Sequence, residues 1–516
     1  MRRQKKFYAW GYADEDLSPE EVKPWEAEIA QRYGLSGFDV TPPPKADEIT
    51  LRKSRVDVPA ALQSMVRTDH LARLEHSYGK AGFDATRMFM RSVPNPPDAV
   101  AFPETEQDVV KLLDWCDRIG AKAIPYGGGS SVVKGIEPEA SFDKVVTISM
   151  RHMDKILEVD AVSHAARIQG GIYGPAIEDA LRDTPFTMRH YMQAYRCSTL
   201  GGWIATRSGG HYATLYTHID DFVESTRVVT PVGTLETRRL PGSGAGPSPD
   251  RLFLGSEGIL GIITEAWVRL RKKPTFRASA SVRFKDFFTG ADAVREITQA
   301  GLYPANCRLL EAREALPGIP WSNEEAVLVL AFESADHPLD AWMARALEIC
   351  RDHGGVADAS GDDENAHRSG AAGAWRNKFI RAPHYSEHAV ARGILSSTFE
   401  TSMTWERFRD FHQKITKIAR DTIKRVTGRE GTVTCRFTHV YPDGPCCYFT
   451  FGGILDKKKA LEQFMEVLST CTAATVEHGG TTTHHHAVGR FHRPFYDKQR
   501  PELFARALRG AKRELD

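Results

Sequence analysis

Six consecutive residues, Tyr126, Gly127, Gly128, Gly129, Ser130 and Ser131, constrain this chain more than any other stretch. They directly follow a short apolar strand expected at residues 123–125. Three glycines in a row let backbone N–H groups close on an anion, and two serines add hydroxyl donors. Such a nest suits a diphosphate, although the same letters also spell an ordinary turn. The run matches neither GxGxxG nor the phosphate loop that ends in Lys, which disfavours a nicotinamide or ATP site. Two later clusters add weight: Ser198, Thr199, Gly201 and Gly202 ahead of Thr206, Ser208 and Gly209, then Glu257, Gly258, Gly261, Ile262 and Ile263. Three separated Gly/Ser segments within one α/β unit imply a long ligand held at several points.

The surrounding pattern is α+β. Residues 1–95 read as a polar N-terminal extension, with a helical stretch expected around residues 60–75 and PNPP as the last linker. Residues 96–272 alternate short strands with helices. Thr105 and Asp108 make a capping-box-like start before a helical repeat of Val109, Leu112, Leu113 and Cys116. Residues 222–237 read as a hairpin turning at Pro231 to Gly233. Residues 273–440 suggest a second layer, an antiparallel sheet with helices on one face. Within it, residues 355–373 are polar and Gly-rich, as in a surface loop. Residues 441–516 form the closing segment.

Length and charge exclude several classes. The 516 residues allow about three domains. Lys plus Arg (68) against Asp plus Glu (67) gives no chain-wide basic surface for nucleic acid. No apolar run reaches the roughly 20 residues of a membrane helix, and the basic N-terminus lacks a signal-peptide core. A cytoplasmic protein is expected. Eight cysteines without a CxxC pair read as reduced thiols. Adjacent Cys446 and Cys447 would point to opposite faces of a strand.

Two features near the C-terminus could carry chemistry. Tyr448 sits in the apolar strand CCYFTF, where a phenol needs a partner for its hydroxyl. It serves either as a core residue or as a base, and a base would need a nearby cation or donor. His484, His485 and His486 form the sharpest polar cluster. If extended, the first and third share one face. A metal would need a further ligand, and nothing nearby has ligand spacing, so no metal is expected. An exposed strand end is the plainer alternative.

The motifs PYGGGSS, STLGGWIATRSGG, VTPVGTLET and LGSEGILGIITEAWVRLR, in that order, resemble the FAD-linked oxidases of the vanillyl-alcohol-oxidase type, with their PCMH-type FAD-binding domain. WGY at 10–12, CRL at 307–309, TFET at 398–401, TCR at 434–436, CYF at 447–449 and the histidine triplet look most like the alkyldihydroxyacetone-phosphate synthases. The resemblance implies a two-part FAD-binding domain at 96–272, a cap at 273–440, and a segment at 441–516 that returns to the flavin. It implies FAD held by Pro125–Ser131, by Ser198, Thr199, Gly201, Gly202, Thr206, Ser208 and Gly209, and by residues 257–263. Tyr448 would abstract a proton, with His485, His486 and His484 as active-site groups and Arg308 toward the substrate. A homodimer acting on a small molecule is implied.

One departure bears on the substrate. Where the synthases read APYxRD, this chain places His384 at the Tyr, Ser386 at the Arg and Glu387 at the Asp. A hydroxyl thus replaces a fixed bidentate cation, and Arg381 or Arg392 would have to supply it. The expected activity is oxidation of a hydroxylated molecule by hydride transfer to flavin N5, with electrons passed to O2 or a carrier. The alternative is the redox-neutral, ether-forming synthase reaction through an N5 adduct. Ser130 and Ser131 stand where covalent relatives carry His, so FAD should be non-covalent. Acid precipitation of the yellow protein should then release all colour to the supernatant. Colour in the washed pellet would contradict this.

Overall fold

The computed structural model describes residues 3–216, 218–311, 314, 325–357 and 381–516. Loop residues 358–373, expected at the surface, lie outside this set. Three sheets place the site. In the first, Ala99–Ala101 and Lys122–Tyr126 flank Val145–Ser149 in parallel, and Val66–Arg67 closes one edge antiparallel. The central strand is buried along its whole length, as parallel strands covered on both faces are. Thr105 caps the helix Glu106–Arg118 through the Asp108 N–H at 3.2 Å, and the Asp108 carboxylate accepts the Thr105 N–H at 3.1 Å.

The second sheet is antiparallel, in the order Ile156–Asp160, Ala165–Gln169, Ile262–Arg269, Val223–Thr230, Gly233–Glu236. The expected hairpin forms, with Thr230 opposite Gly233. The third has seven antiparallel strands, and its helices Phe287–Gln299, Asp340–Asp352, Trp405–Thr427 and Ala460–Glu477 share one core with it. Four of its adjacent strands are Asn306–Leu310, Thr432–Val440, Pro445–Ile454 and Ile394–Ser402. Tyr448 therefore lies inside this sheet.

The pleat of these four strands sorts core from chemistry. Cys307, Leu309, Phe399, Cys435, Phe437, Cys447, Phe449 and Phe451 face the helices and are buried in the core. Their even-numbered neighbours Arg308, Thr398, Thr434, Arg436, Tyr448 and Thr450 line a cavity on the other face. Cys446 and Cys447 part as expected. Cys447 stays with the core while Cys446 lies beside Thr438 and Glu400. A bulge between Phe437 and His439 turns His439 toward the cavity as well.

The extension differs from its sequence pattern. Residues 60–75 do not form one helix. They divide into a tight turn at Ala60–Leu62, the strand Val66–Arg67 and the helix His70–Glu75, because pairing with residues 100 and 101 claims the middle. Pro19–Arg32 and Gly82–Phe89 are also helical.

Asp98 ties this extension to the first sheet. Its fully buried carboxylate accepts the N–H groups of Arg55 (3.0 Å) and Val145 (2.9 Å) and both Arg52 and Arg55 guanidinium groups. Burial pushes this carboxyl up, but the Arg55, Arg52 and backbone donors win and hold it well below the usual range. A depressed carboxyl stabilises the fold above its unfolded pKa of about 4, and the contribution fades as pH falls. Asp98→Asn should lower stability by about 3 kcal/mol at neutral pH, read as the urea midpoint. The gap to wild type should shrink as the pH drops below about 4.

Candidate active site

All nineteen residues named above in the three Gly/Ser segments line one cavity of about 1440 Å³. That exceeds the 300–1,000 Å³ usual for a single small-ligand site, leaving room for a dinucleotide and a substrate. Glycine is obligatory in the cradle. A Cβ at Gly128 would stand 1.9 Å from the Cys197 carbonyl oxygen, one at Gly127 would meet Thr199 Oγ1 at 2.3 Å, and Gly129 has φ +75°. Thr199 Oγ1 is buried with no hydrogen-bond partner among the described residues, which suits a polar ligand atom. Two lysines reach the loop from the extension side. Lys5 Nζ donates to the Gly128 carbonyl at 2.7 Å, and Lys80, also on the cavity wall, donates to the Lys6 and Phe7 carbonyls. Burial pushes the Lys80 ammonium down to about 8. These residues fit the diphosphate and ring system of FAD.

Tyr448 faces this cavity from the third sheet. Its hydroxyl accepts a hydrogen bond from Thr398 Oγ1 at 3.1 Å, and the Arg436 guanidinium stands 4.2 Å from its ring centroid. The His485 ring stacks on it at 5.8 Å and His486 meets it edge-on at 5.6 Å. Burial raises the phenol above its ordinary pKa, and the opposing pulls of Arg436 and Thr398 do not reverse that. The cation and donor anticipated for a basic Tyr448 are present, yet the hydroxyl stays protonated at neutral pH.

The histidine triplet is neither extended nor an exposed strand end, so the plainer alternative is set aside. It wraps around Glu400, whose carboxylate accepts the N–H groups of His484 (2.7 Å), His485 (3.2 Å) and His486 (3.1 Å) together with the Thr483 hydroxyl. Burial pushes the Glu400 carboxyl up, but His485, His486, His484 and Thr483 draw it well below the usual range. From the FAD-binding side, Glu257 accepts the N–H groups of Val488 (2.8 Å) and Gly489 (2.7 Å). Two carboxylates distant in sequence thus hold one short loop. His485 and His486 line the cavity, whereas His484 sits behind them, bonded to Tyr441 Oη (2.8 Å) and His485 Nδ1 (3.0 Å). Burial lowers all three imidazoles, His485 to about 3, so they are neutral near pH 7.

The third sheet brings His439 and Cys446 beside the triplet, so ligand-type groups absent from the local spacing are near in space. His439, Cys446, His484 and His485 offer atoms within 4.8 Å of one another. Protein partners already engage two of them: His439 Nε2 bonds the Gly210 carbonyl at 2.9 Å and Cys446 pairs with Thr438 at 3.2 Å.

Of the substrate-side residues, Arg308 lines the cavity and bonds His211 Nδ1 at 2.6 Å, with burial pushing its guanidinium down to about 9. Ser386 also lines the cavity. His384 does not, and its ring lies against Gly11 of the extension. Arg381 and Arg392 are held by Glu21 and Glu26 of the helix Pro19–Arg32, at 2.6 Å and 2.8 Å. Sequence reasoning missed Lys5 and Lys80, which nothing local marks, and the role of Glu400. An acid in the apolar strand Ile394–Ser402 was the available signal for Glu400.

A family model described as FAD binding domain matches residues 97–238, and one described as FAD linked oxidases, C-terminal domain, matches residues 273–516. The alkyldihydroxyacetonephosphate synthase of Dictyostelium discoideum is 27% identical, over 97% of this chain and 84% of that protein. A glycolate oxidase subunit of Bacillus subtilis (strain 168) is 25% identical, over 86% of this chain and 90% of its own. A solved alkyldihydroxyacetonephosphate synthase superposes with TM-score 0.83 at 24% identity, covering 99% of this chain and 97% of that one. Substrate-bound p-cresol methylhydroxylase gives 0.67 at 14% identity, covering 88% and 92%. These last two likenesses establish the fold.

Glu400→Gln keeps the shape but puts an NH2 in place of one accepting oxygen, against the His484 N–H or against those of His485 and His486. Stability should fall by about 3 kcal/mol, and amide exchange at residues 483–486 should accelerate. Unchanged protection of those amides would show that the carboxylate does not hold the loop.

Proposed function

From the FAD-linked oxidase models matched at residues 97–238 and 273–516, we propose that this chain oxidises a hydroxylated molecule of little or no charge carrying an apolar tail. FAD, when bound in the glycine cradle, supplies the hydride acceptor. His485, neutral and facing the cavity, takes the hydroxyl proton. Tyr448, still protonated, donates a hydrogen bond to the substrate oxygen and orients it. His486 and Arg436 hold the Tyr448 ring in place.

The observation that carries this reading is the state of the cations around Ser386. Lys6 is paired with Glu387, Arg381 with Glu21 and Arg392 with Glu26. The cavity lining includes the apolar Trp25, Ile29, Tyr33, Ile394, Leu395 and Leu468, alongside charged groups such as Glu28 and Arg32. Its apolar part favours a hydrocarbon chain over a phosphate, at roughly 0.8 kcal/mol per buried methylene. Transfer of the electrons to O2 or a carrier, a homodimer and a cytoplasmic location belong to the same proposal. So does a division into extension, FAD domain, cap and returning C-terminal segment.

A second reading is the ether-forming synthase reaction. Similarity to alkyldihydroxyacetonephosphate synthases along nearly the whole chain favours it. Anaerobic mixing separates the two. 1-Hexadecanol should bleach the flavin in the absence of any second substrate, and glycolate should not. Ether product from acyl-dihydroxyacetone phosphate and hexadecanol would establish the second reading instead. Tyr448→Phe should retain FAD and slow bleaching about 100-fold or more. Wild-type bleaching in that variant would make Tyr448 a packing residue.

A further inference from the structure

Behind the cavity, His485 begins a continuous line of hydrogen bonds that the reading above does not use. His485 Nδ1 lies 3.0 Å from His484 Nδ1, and His484 Nε2 lies 2.8 Å from Tyr441 Oη. Tyr441 Oη in turn lies 2.5 Å from His218 Nε2. The four groups come from three separate places: the C-terminal loop, the turn after Thr432–Val440, and the residue capping the short helix Ile219–Phe222 in the FAD-binding part.

We propose that His484, Tyr441 and His218 form a proton relay that carries the proton taken by His485 out of the cavity to His218. The proposal rests on proton abstraction at His485 in the reading above. The far end fixes its direction. His218 is also hydrogen-bonded to the Arg207 backbone carbonyl, which can only accept, so its remaining ring nitrogen, Nδ1, carries a proton there. Neutral His218 then has a bare Nε2, and Tyr441 Oη–H donates to it. The Tyr441 oxygen accepts from His484 Nε2–H, and the bare His484 Nδ1 accepts from His485 Nδ1–H. Among these four groups, this order leaves the one uncommitted ring nitrogen lone pair on His485 Nε2, which can take a proton.

Transfer then balances without any other reactant. A proton arrives at His485 Nε2, and His485 Nδ1 gives its own to His484 Nδ1. His484 Nε2 gives its own to Tyr441 Oη, and Tyr441 gives its hydroxyl proton to His218 Nε2. Every group but the last ends neutral, and His218 becomes imidazolium. The charge therefore leaves His485, where Glu400, 3.5 Å from Nδ1, favours it and His486 and Arg308 oppose it, and arrives at His218, where Asp220 and Asp221 favour it and Arg207 opposes it. His439 stacks on His484 at 4.8 Å but stays off the path, because its Nε2 donates to the Gly210 carbonyl and its Nδ1 pairs with Thr438. Tyr441 and His218 act through His485 and are positioning residues in this sense.

The test uses the full-length FAD-loaded protein with 15N-labelled histidine. NMR should find His485 protonated on Nδ1 alone and His484 on Nε2 alone. Tyr441→Phe removes one oxygen and keeps the ring, and His484 should then populate both tautomers. His218→Gln keeps a hydrogen-bonding group that cannot pass a proton. Both variants should retain FAD and slow bleaching by 1-hexadecanol at least tenfold, with a changed solvent deuterium isotope effect. A proton on His485 Nε2, or a Tyr441→Phe spectrum identical to wild type at His484 and His485, would overturn the relay. If hexadecanol fails to bleach the wild type, the oxidation reading falls while the tautomers still decide the relay.

Discussion

Glu400 is a buried carboxylate that accepts three consecutive backbone N–H groups, and the geometry of the reacting end of the cavity follows from that. A nest of this kind usually binds a ligand anion, but here the protein supplies the anion itself. The bonds fold residues 484–486 into a compact turn that sets His485 and His486 against the Tyr448 ring. Glu257 repeats the device two residues further on, through Val488 and Gly489. Because one carboxylate belongs to the seven-stranded sheet and the other to the FAD-binding part, the loop also fixes the distance between the two halves. The arrangement positions His485 and His486 through backbone hydrogen bonds, without placing them on regular secondary structure.

The electrostatics of the site follow from the same burial. Low dielectric keeps His484, His485 and His486 neutral and keeps the Tyr448 phenol protonated. Neutral imidazole can accept a proton, but the resulting cation is disfavoured where it forms, close to Arg308 and Arg436. A base in such a place works when the charge is either passed on or compensated by the reaction itself. Glu400 partly offsets the cost and spends most of its hydrogen-bonding capacity on the backbone.

Much of this was legible from local pattern. The glycine cradle is written in consecutive residues, since close approach of backbone to ligand demands glycine wherever it occurs. Adjacent Cys446 and Cys447 part to opposite faces as a strand requires, and the partner that a phenol in an apolar strand needs is present for Tyr448 in Thr398. What was not legible depends on distance along the chain. Lys5 meets Gly128 across 123 positions, and Glu400 meets His484 across 84. No short-range period encodes such pairs. The shape of the histidine triplet was open for a related reason: its N–H groups are claimed by a carboxylate from a distant strand. Ser386 did reach the cavity as the local match to APYxRD implied, whereas His384, two residues away, turned to the extension.

The central claim is that Glu400 is ionised and bound by the loop backbone at neutral pH. Infrared difference spectroscopy between wild type and Glu400→Gln, both FAD-loaded, reads that state directly. The account predicts that the variant loses the paired bands of a carboxylate anion, and that the lost bands persist in the wild type down to about pH 4. Loss of a protonated carboxylic acid carbonyl band at neutral pH would contradict it, because a neutral acid could not hold three N–H donors and steady the histidines as described.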